Sequence, residues 1–203
     1  RNYGLERVLI VDWDVHHGNG TQDYFYPRSD VLFFSTHQYP FYPGTGNIHE
    51  TGEGEGRGYT ANVPLQAGVG DEGYRRVFEQ VLVPLARRYR PQLILISAGY
   101  DAHIGDPLGG MSVTTAGFSE LARIVRQLSD EIAECEGRLA AILEGGYNIE
   151  ALAQSVVATI AALQAPPGQT VPVEVAEPQR LHAHRRTVDV GGVIEQARRI
   201  HGL

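Results

Sequence analysis

Four short apolar runs restrict what this chain can fold into: Val8–Val11, Val31–Ser35, Leu93–Ile96 and Leu139–Leu143. Each is too short for a helix of ordinary length and is rich in branched or aromatic side chains, which fit a pleated surface. They are continuously apolar rather than alternating, the pattern of strands buried on both faces of a parallel sheet. Parallel neighbours need long crossovers, and long segments with helical character do separate several of the runs. Asp71–Tyr89 carries an apolar stripe of Val77, Val81, Leu82 and Leu85, with Pro84 expected to kink it. Thr114–Ala133 begins at Thr114 or Thr115, either a suitable N-cap. Ile149–Leu163 reads as a third helix, and Tyr59–Val63 as a further strand. The fold class expected is a three-layer α/β/α arrangement with a mainly parallel sheet covered on both faces.

In such sheets ligands bind beyond the carboxyl ends of the strands. The residues found there are Asp12–His17, Ser35–His37, Asp101 and Gly145–Tyr147. Residues 37–58 lack any periodicity and hold His37, Pro40, Pro43 and six glycines, the mark of a long functional loop or of disorder. From Ala165 to Arg186 the chain turns Pro-rich and polar, and Asp189–Ile200 suits a last short helix. The organisation expected is one domain body over residues 1–165, with 166–203 as its tail and terminal helix.

A length of 203 residues fits one domain with a sizeable core. The net charge of −7 argues against nucleic acid as a direct partner and is compatible with cationic substrates. A single cysteine, Cys135, precludes an internal disulfide and suits a reducing compartment such as the cytoplasm. No apolar run reaches membrane-spanning length. An oligomer is compatible with all of this.

The segment Asp12-Trp13-Asp14-Val15-His16-His17 carries the chemistry. Asp12, Asp14 and His16 alternate, so an extended backbone would set them on one face. Carboxylate and imidazole are accepted zinc ligands, and so few of them would leave positions open for water and substrate. The same spacing also suits a capped strand end. Asp101 follows another buried strand. Asp106, in Gly105-Asp106-Pro107, reads as a turn cap. Glu144-Gly145-Gly146-Tyr147-Asn148 throws a tyrosine out at a strand end, where a phenol can donate to a developing oxyanion.

Taken together, Asp12–Gly20, His37–Gly46, Ala98–Gly109 and Leu143–Asn148 resemble the histone deacetylase superfamily, which includes acetylpolyamine amidohydrolases and acetoin-utilisation proteins. The resemblance covers roughly residues 5–165 and implies an arginase/deacetylase-like fold. It implies that Asp14, His16 and Asp101 bind zinc, or iron(II), which accepts the same ligands. It implies Tyr147 as oxyanion donor, Gly145 as a backbone contact to the substrate amide, and Tyr42 and Leu108 as walls of an acyl-lysine channel. Asp12 and Ser35 match a structural potassium site, and the carbonyls near Phe25, Arg28, Val31 and Tyr59 a second one. Asn19 and Tyr147 suit a class II-like member, and Leu108 suits a lysine tunnel better than a polyamine ammonium. The substrate class implied is acetyl-lysine protein or peptide, with acetylated polyamine as the alternative.

The sequence also departs from the family. The family's general base belongs to a tandem His-His motif in a Gly-Gly-His-His-like context, and no such segment is present. His16-His17 is not it, because His16 is assigned to the metal. The expectation is a domain lacking its N-terminal part, in which Asp12 and Asn19 have lost the histidines they would orient. A metal-binding module without catalysis is therefore a competing reading. A two-manganese ureohydrolase is disfavoured, because Gly18 stands where a second carboxylate would be needed. His17 is expected to point away from the site, His37 to support it, His49 to face solvent and His103 to line the rim. His182, His184 and His201 are expected to be solvated.

Overall fold

The computed structural model describes residues 4–166, 169, 172 and 188–203. Its centre is a five-stranded sheet of order β3-β2-β1-β4-β5 in which every pairing is parallel. The strands are β1 (Val8–Asp12), β2 (Val31–Gln38), β3 (Thr60–Leu65), β4 (Leu93–Ala98) and β5 (Leu139–Leu143). The four apolar runs are thus four of the strands. Helices α1 (Asn19–Phe25), α2 (Asp71–Val77), α3 (Val83–Tyr89), α4 (Thr115–Glu131), α5 (Ile149–Gln164) and α6 (Gly191–His201) complete the order. The Pro-rich tail, with His182 and His184, lies outside the described residues.

The regular helix is interrupted just before Pro84. A π-helical turn over Phe78–Leu82 joins α2 to α3, and the N–H of Val83 reaches back to the carbonyl of Phe78. Pro84 then stands at the start of α3, where its missing N–H costs nothing. The Thr114 hydroxyl accepts from the Gly117 N–H at 3.1 Å and caps α4. It also donates to Asp71 Oδ2 at 2.8 Å, while Asp71 Oδ1 accepts the Thr114 N–H at 2.7 Å. One carboxylate at the start of α2 thereby fixes the start of α4.

Both faces of the sheet carry helices, as expected, but the cover is unequal. Leu9, Val11, Ile94 and Ile96 face a large core built with α2–α4, and α6 adds Ile194 and Ala197 to it. The opposite face holds only Ile10, Val31 and Phe33, with Val8, Leu95 and Phe25 of α1 packed against them. Leu93, Leu95 and Ser97 are accordingly half-buried, and Ala140–Leu143 of β5 are exposed on both faces. Among the described residues β5 is an edge strand that pairs with β4 alone.

Candidate metal centre

Register brings the site together. Asp12 is aligned with Ser97 and with Ser35, and Ala98 with Leu143, so β1, β4 and β5 finish side by side at one edge while β2 runs on past them to Gln38. The segments leaving these ends carry Asp14, Asp101 and Gly145.

β1 ends at Asp12, so Asp12, Asp14 and His16 do not share the face of an extended strand, as alternation had suggested. Two successive turns follow instead. Asp12 Oδ1 accepts the Asp14 N–H at 3.1 Å, and Asp14 Oδ1 accepts the His16 N–H at 2.8 Å. Short carboxylates favour this local bonding over a ladder. The bend leaves Asp12 beneath the cluster and carries Asp14 and His16 to Asp101, whose Oδ1 is held by the Val15 N–H at 2.8 Å.

One ligand atom from each of Asp14, His16 and Asp101 lies within 4.8 Å of the others. His16 Nδ1 is 3.1 Å from both Asp14 Oδ1 and Asp101 Oδ2. Tetrahedral zinc, with bonds of about 2.0–2.1 Å, sets its ligands roughly 3.3 Å apart, so the spacing fits a single ion of that size. Burial first, and then the neighbouring Asp14 carboxylate, raises the pKa of Asp101. A cation between the two acids would remove that repulsion.

Two glycines make room for these carboxylates. A Cβ on Gly145 would lie 2.1 Å from Asp101 Oδ2, and one on Gly99 2.1 Å from Asp14 Oδ2. Gly145 also donates its N–H to Asp14 Oδ2 at 2.9 Å, which ties the end of β5 to the cluster. Tyr147 follows, half-exposed. Burial, and then Asp101, Asp14 and Asp106, raises its phenol above the ordinary value, so it stays protonated and able to donate. The ring of Phe41 stacks on His16 at 5.5 Å and Tyr42 meets it edge-on at 6.0 Å. Tyr42 and Leu108 are both exposed.

Asp12 and Ser35 are buried side by side on β1 and β2. Burial, then Asp14, pushes the Asp12 carboxyl well above its usual range. The Ser35 hydroxyl is 3.0 Å from His37 Nδ1. The carbonyls of Phe25 and Tyr59 accept from Arg28 and Phe33, each at 2.9 Å. Asn19 is exposed at the first position of α1.

The other histidines are engaged elsewhere. His17 is buried between Thr45 (2.8 Å) and Gln22 (3.0 Å), and Gln22 continues to Glu50 and Asn62. His37 Nε2 lies 2.9 Å from the Gly46 carbonyl, and burial with His17 beside it lowers its pKa to about 3. His49 is exposed. His103 does not line the rim. It is buried near α4, stacked on Phe118, with its Nδ1 accepting the Gly105 N–H at 3.0 Å. His201 is not solvated either; it is buried at the end of α6.

Sequence reasoning passed over Phe41, Gly99 and the polar layer under the glycine-rich loop. It also saw only half of Asp106. That residue caps its own turn, accepting the Leu108 N–H at 2.9 Å, but its second oxygen accepts the N–H groups of Tyr147 (2.7 Å) and Asn148 (3.2 Å).

Comparison with known proteins decides the family. The histone deacetylase domain model matches residues 1–163. The chain belongs to the histone deacetylase domain family. It is 45% identical over 201 residues to histone deacetylase 10, chloroplastic, of Oryza sativa subsp. japonica, covering 99% of this chain and 44% of that protein. It is 48% identical to a probable deacetylase of Archaeoglobus fulgidus, covering 79% of this chain and 44% of the relative. Among solved structures, the HDA15 HD domain superposes with a TM-score of 0.81 at 38% identity, over 98% of this chain and 51% of that one. Histone deacetylase Clr3 gives 0.81 at 35% identity, over 98% and 32%. The parallel sheet is thus the deacetylase fold, and this deacetylase-family chain spans less than half the length of the curated relatives it matches. Among the described residues no helix is long and apolar enough to cross a membrane.

Proposed function

We propose that this chain carries the metal-binding half of a zinc-dependent amidohydrolase that removes the acetyl group from lysine side chains. One observation carries the reading: the ligand atoms of Asp14, His16 and Asp101 converge within 4.8 Å, and Asp14 also holds Gly145 at the start of the loop that presents Tyr147. Zinc, or iron(II) in its place, would be held by those three side chains and, when bound, supplies Lewis acidity toward a carbonyl and acidifies water.

The remaining work falls to the chain's own groups. The protonated Tyr147 phenol donates to the oxygen that gains charge as the acetamide is attacked. Gly145 provides a backbone surface on which no side chain obstructs the amide. Phe41 and Tyr42 around His16, with Leu108 across the rim, give an apolar lane suited to the methylenes of lysine. Leu108 offers no charge to a polyamine ammonium, which favours acetyl-lysine over acetylated polyamine as substrate. A potassium ion at Asp12 and Ser35 fits a buried carboxylate that makes no ion pair among the described residues. The second potassium site, at the carbonyls near Phe25, Arg28, Val31 and Tyr59, stands on resemblance to the family. Asn19 would orient a catalytic histidine contributed from outside these residues. The single cysteine fits a reducing compartment, here read as the cytoplasm.

Among the described residues no histidine stands beside the cluster as a free general base: His17, His37 and His103 are engaged elsewhere, His49 is exposed and His201 is buried at the end of α6. Acid–base catalysis is typically worth about 10²–10⁴-fold, so the purified 203-residue chain should bind one zinc ion and hydrolyse an acetyl-lysine peptide weakly at most. Calorimetric zinc titration and acetate release, with acetylputrescine in parallel, test this. Failure to bind zinc at micromolar concentration, or its retention in Asp101→Asn, refutes the metal assignment. Robust zinc-dependent turnover by the chain alone refutes the missing base, and preference for acetylputrescine refutes the substrate.

A further inference from the structure

Asp106 lies outside the ligand set and is nearly fully buried, yet it meets two segments of the proposed substrate rim. Its Oδ1 accepts the N–H of Leu108 at 2.9 Å. Its Oδ2 accepts the N–H groups of Tyr147 at 2.7 Å and of Asn148 at 3.2 Å. A second clamp runs beside it, with Asn148 Nδ2 donating to the Gly105 carbonyl at 2.8 Å and Asn148 Oδ1 capping α5 at the Ala151 N–H, 3.1 Å away. The loop that carries Tyr147 is therefore bonded at its start to Asp14 and at its end to the turn that carries Leu108.

We infer that Asp106 is a positioning residue for deacetylation, one carboxylate that fixes the Tyr147 phenol and the Leu108 wall relative to each other across the rim. The inference rests on the proposed role of Tyr147 and extends it to a residue that touches neither metal nor substrate. The chemistry needs a carboxylate in particular. Its two oxygens accept three N–H donors here, and no amide side chain of that size offers acceptors on both sides. In asparagine one side becomes an NH₂ group facing N–H donors, so either Leu108 or Tyr147 and Asn148 lose their anchor. A displacement of the phenol by a fraction of an ångström is enough to cost its hydrogen bond, because such bonds weaken steeply with distance and angle.

The test uses the zinc-loaded chain and octanohydroxamic acid, whose hydroxamate head binds zinc and can accept a hydrogen bond from the phenol and whose alkyl chain would lie along the rim. Tyr147→Phe should weaken its binding about tenfold, the worth of one hydrogen bond. Asp106→Asn should weaken it by a similar factor with zinc affinity unchanged, and the double variant should be no weaker than either single one, the signature of two residues acting as a unit. A merely structural Asp106 would instead lower zinc affinity or give additive losses, and either result overturns the inference. Wild-type hydroxamate affinity in Asp106→Asn overturns it too, while leaving the role of Tyr147 standing. Equal binding by wild type and Tyr147→Phe refutes the role of Tyr147, and amide hydrogen exchange then decides the positioning separately. In the unliganded wild-type chain the amides of Tyr147 and Asn148 should exchange at least about tenfold more slowly than other exposed loop amides. Fast exchange at both overturns the inference even if Asp106→Asn does not fold.

Discussion

At the scale of single residues, the proposed metal centre is held as much by what is absent as by what is present. Gly145 and Gly99 leave the space that the Asp101 and Asp14 carboxylates occupy. Gly145→Ala would put a methyl group 2.1 Å from Asp101 Oδ2, so one carboxylate must swing away. Zinc affinity should fall by roughly 10–100-fold, the range for disturbing the groups that orient metal ligands. Competition with a chelator of known affinity checks this, and unchanged affinity would mean that the carboxylates are not confined as described. His201 offers a pH test. Burial first, and then Arg88, lowers its pKa to about 4, and its Nε2 has no partner. Between pH ~6.5 and about 4 the unfolded chain takes up a proton that the folded chain refuses, so stability is lost as pH falls through that window. Asp12 and Asp101, with raised values, act in the opposite sense. The comparison with His201→Gln isolates the histidine: the variant's Tm relative to wild type should rise from pH 7 to pH 5. A constant difference would show that His201 titrates normally.

At the scale of elements, the sequence was most readable where one force dominated. The apolar runs became strands because a strand buried on both faces tolerates few polar positions. The Asp14–His16 segment was misread as extended for a local reason: each aspartate bonds the backbone two residues on and bends the chain, a competition that side-chain alternation does not register. Of the site itself, the cluster of Asp14, His16 and Asp101 was legible because carboxylate and imidazole are set at strand ends. Asp106 was only half legible, since its turn is written in Asp106-Pro107 but its bonds to Tyr147 and Asn148 cross 41 and 42 residues. His103 and His201 were misplaced because the helices that bury them are tertiary neighbours. The Thr114–Asp71 link invites an element-level test. Thr114→Ala should cost about 1 kcal/mol in urea unfolding, as loss of an N-cap does. Asp71→Ala should add little to it, because both remove the same junction. Additive losses would argue that α2 and α4 are fixed independently.

At the scale of the whole molecule, the exposed side is a liability. Ile142 and Leu143 of β5 and Ile149, Val157 and Ile160 of α5 are all exposed, and among the described residues one edge of β5 is unpaired. An apolar edge of this kind recruits other chains. The isolated 203 residues should associate as concentration rises and should bind a hydrophobic dye. Ile142→Lys should suppress both with little change in Tm, since the side chain is half in water already. Light scattering that stays monomeric across the concentration range would count against this.

The bond from the Gly145 N–H to Asp14 joins residues 131 positions apart and reaches from β5 past β4 to the end of β1. Filling the proposed metal site would therefore also fasten the outermost strand. When the ion is stripped, the repelling carboxylates would loosen that fastening first at the rim of the sheet, while the strands under α2–α4 stay closed. Limited proteolysis would register this as cuts near residues 139–146 that appear on chelation and vanish when zinc is returned, so a protease would report metal occupancy without any substrate being turned over.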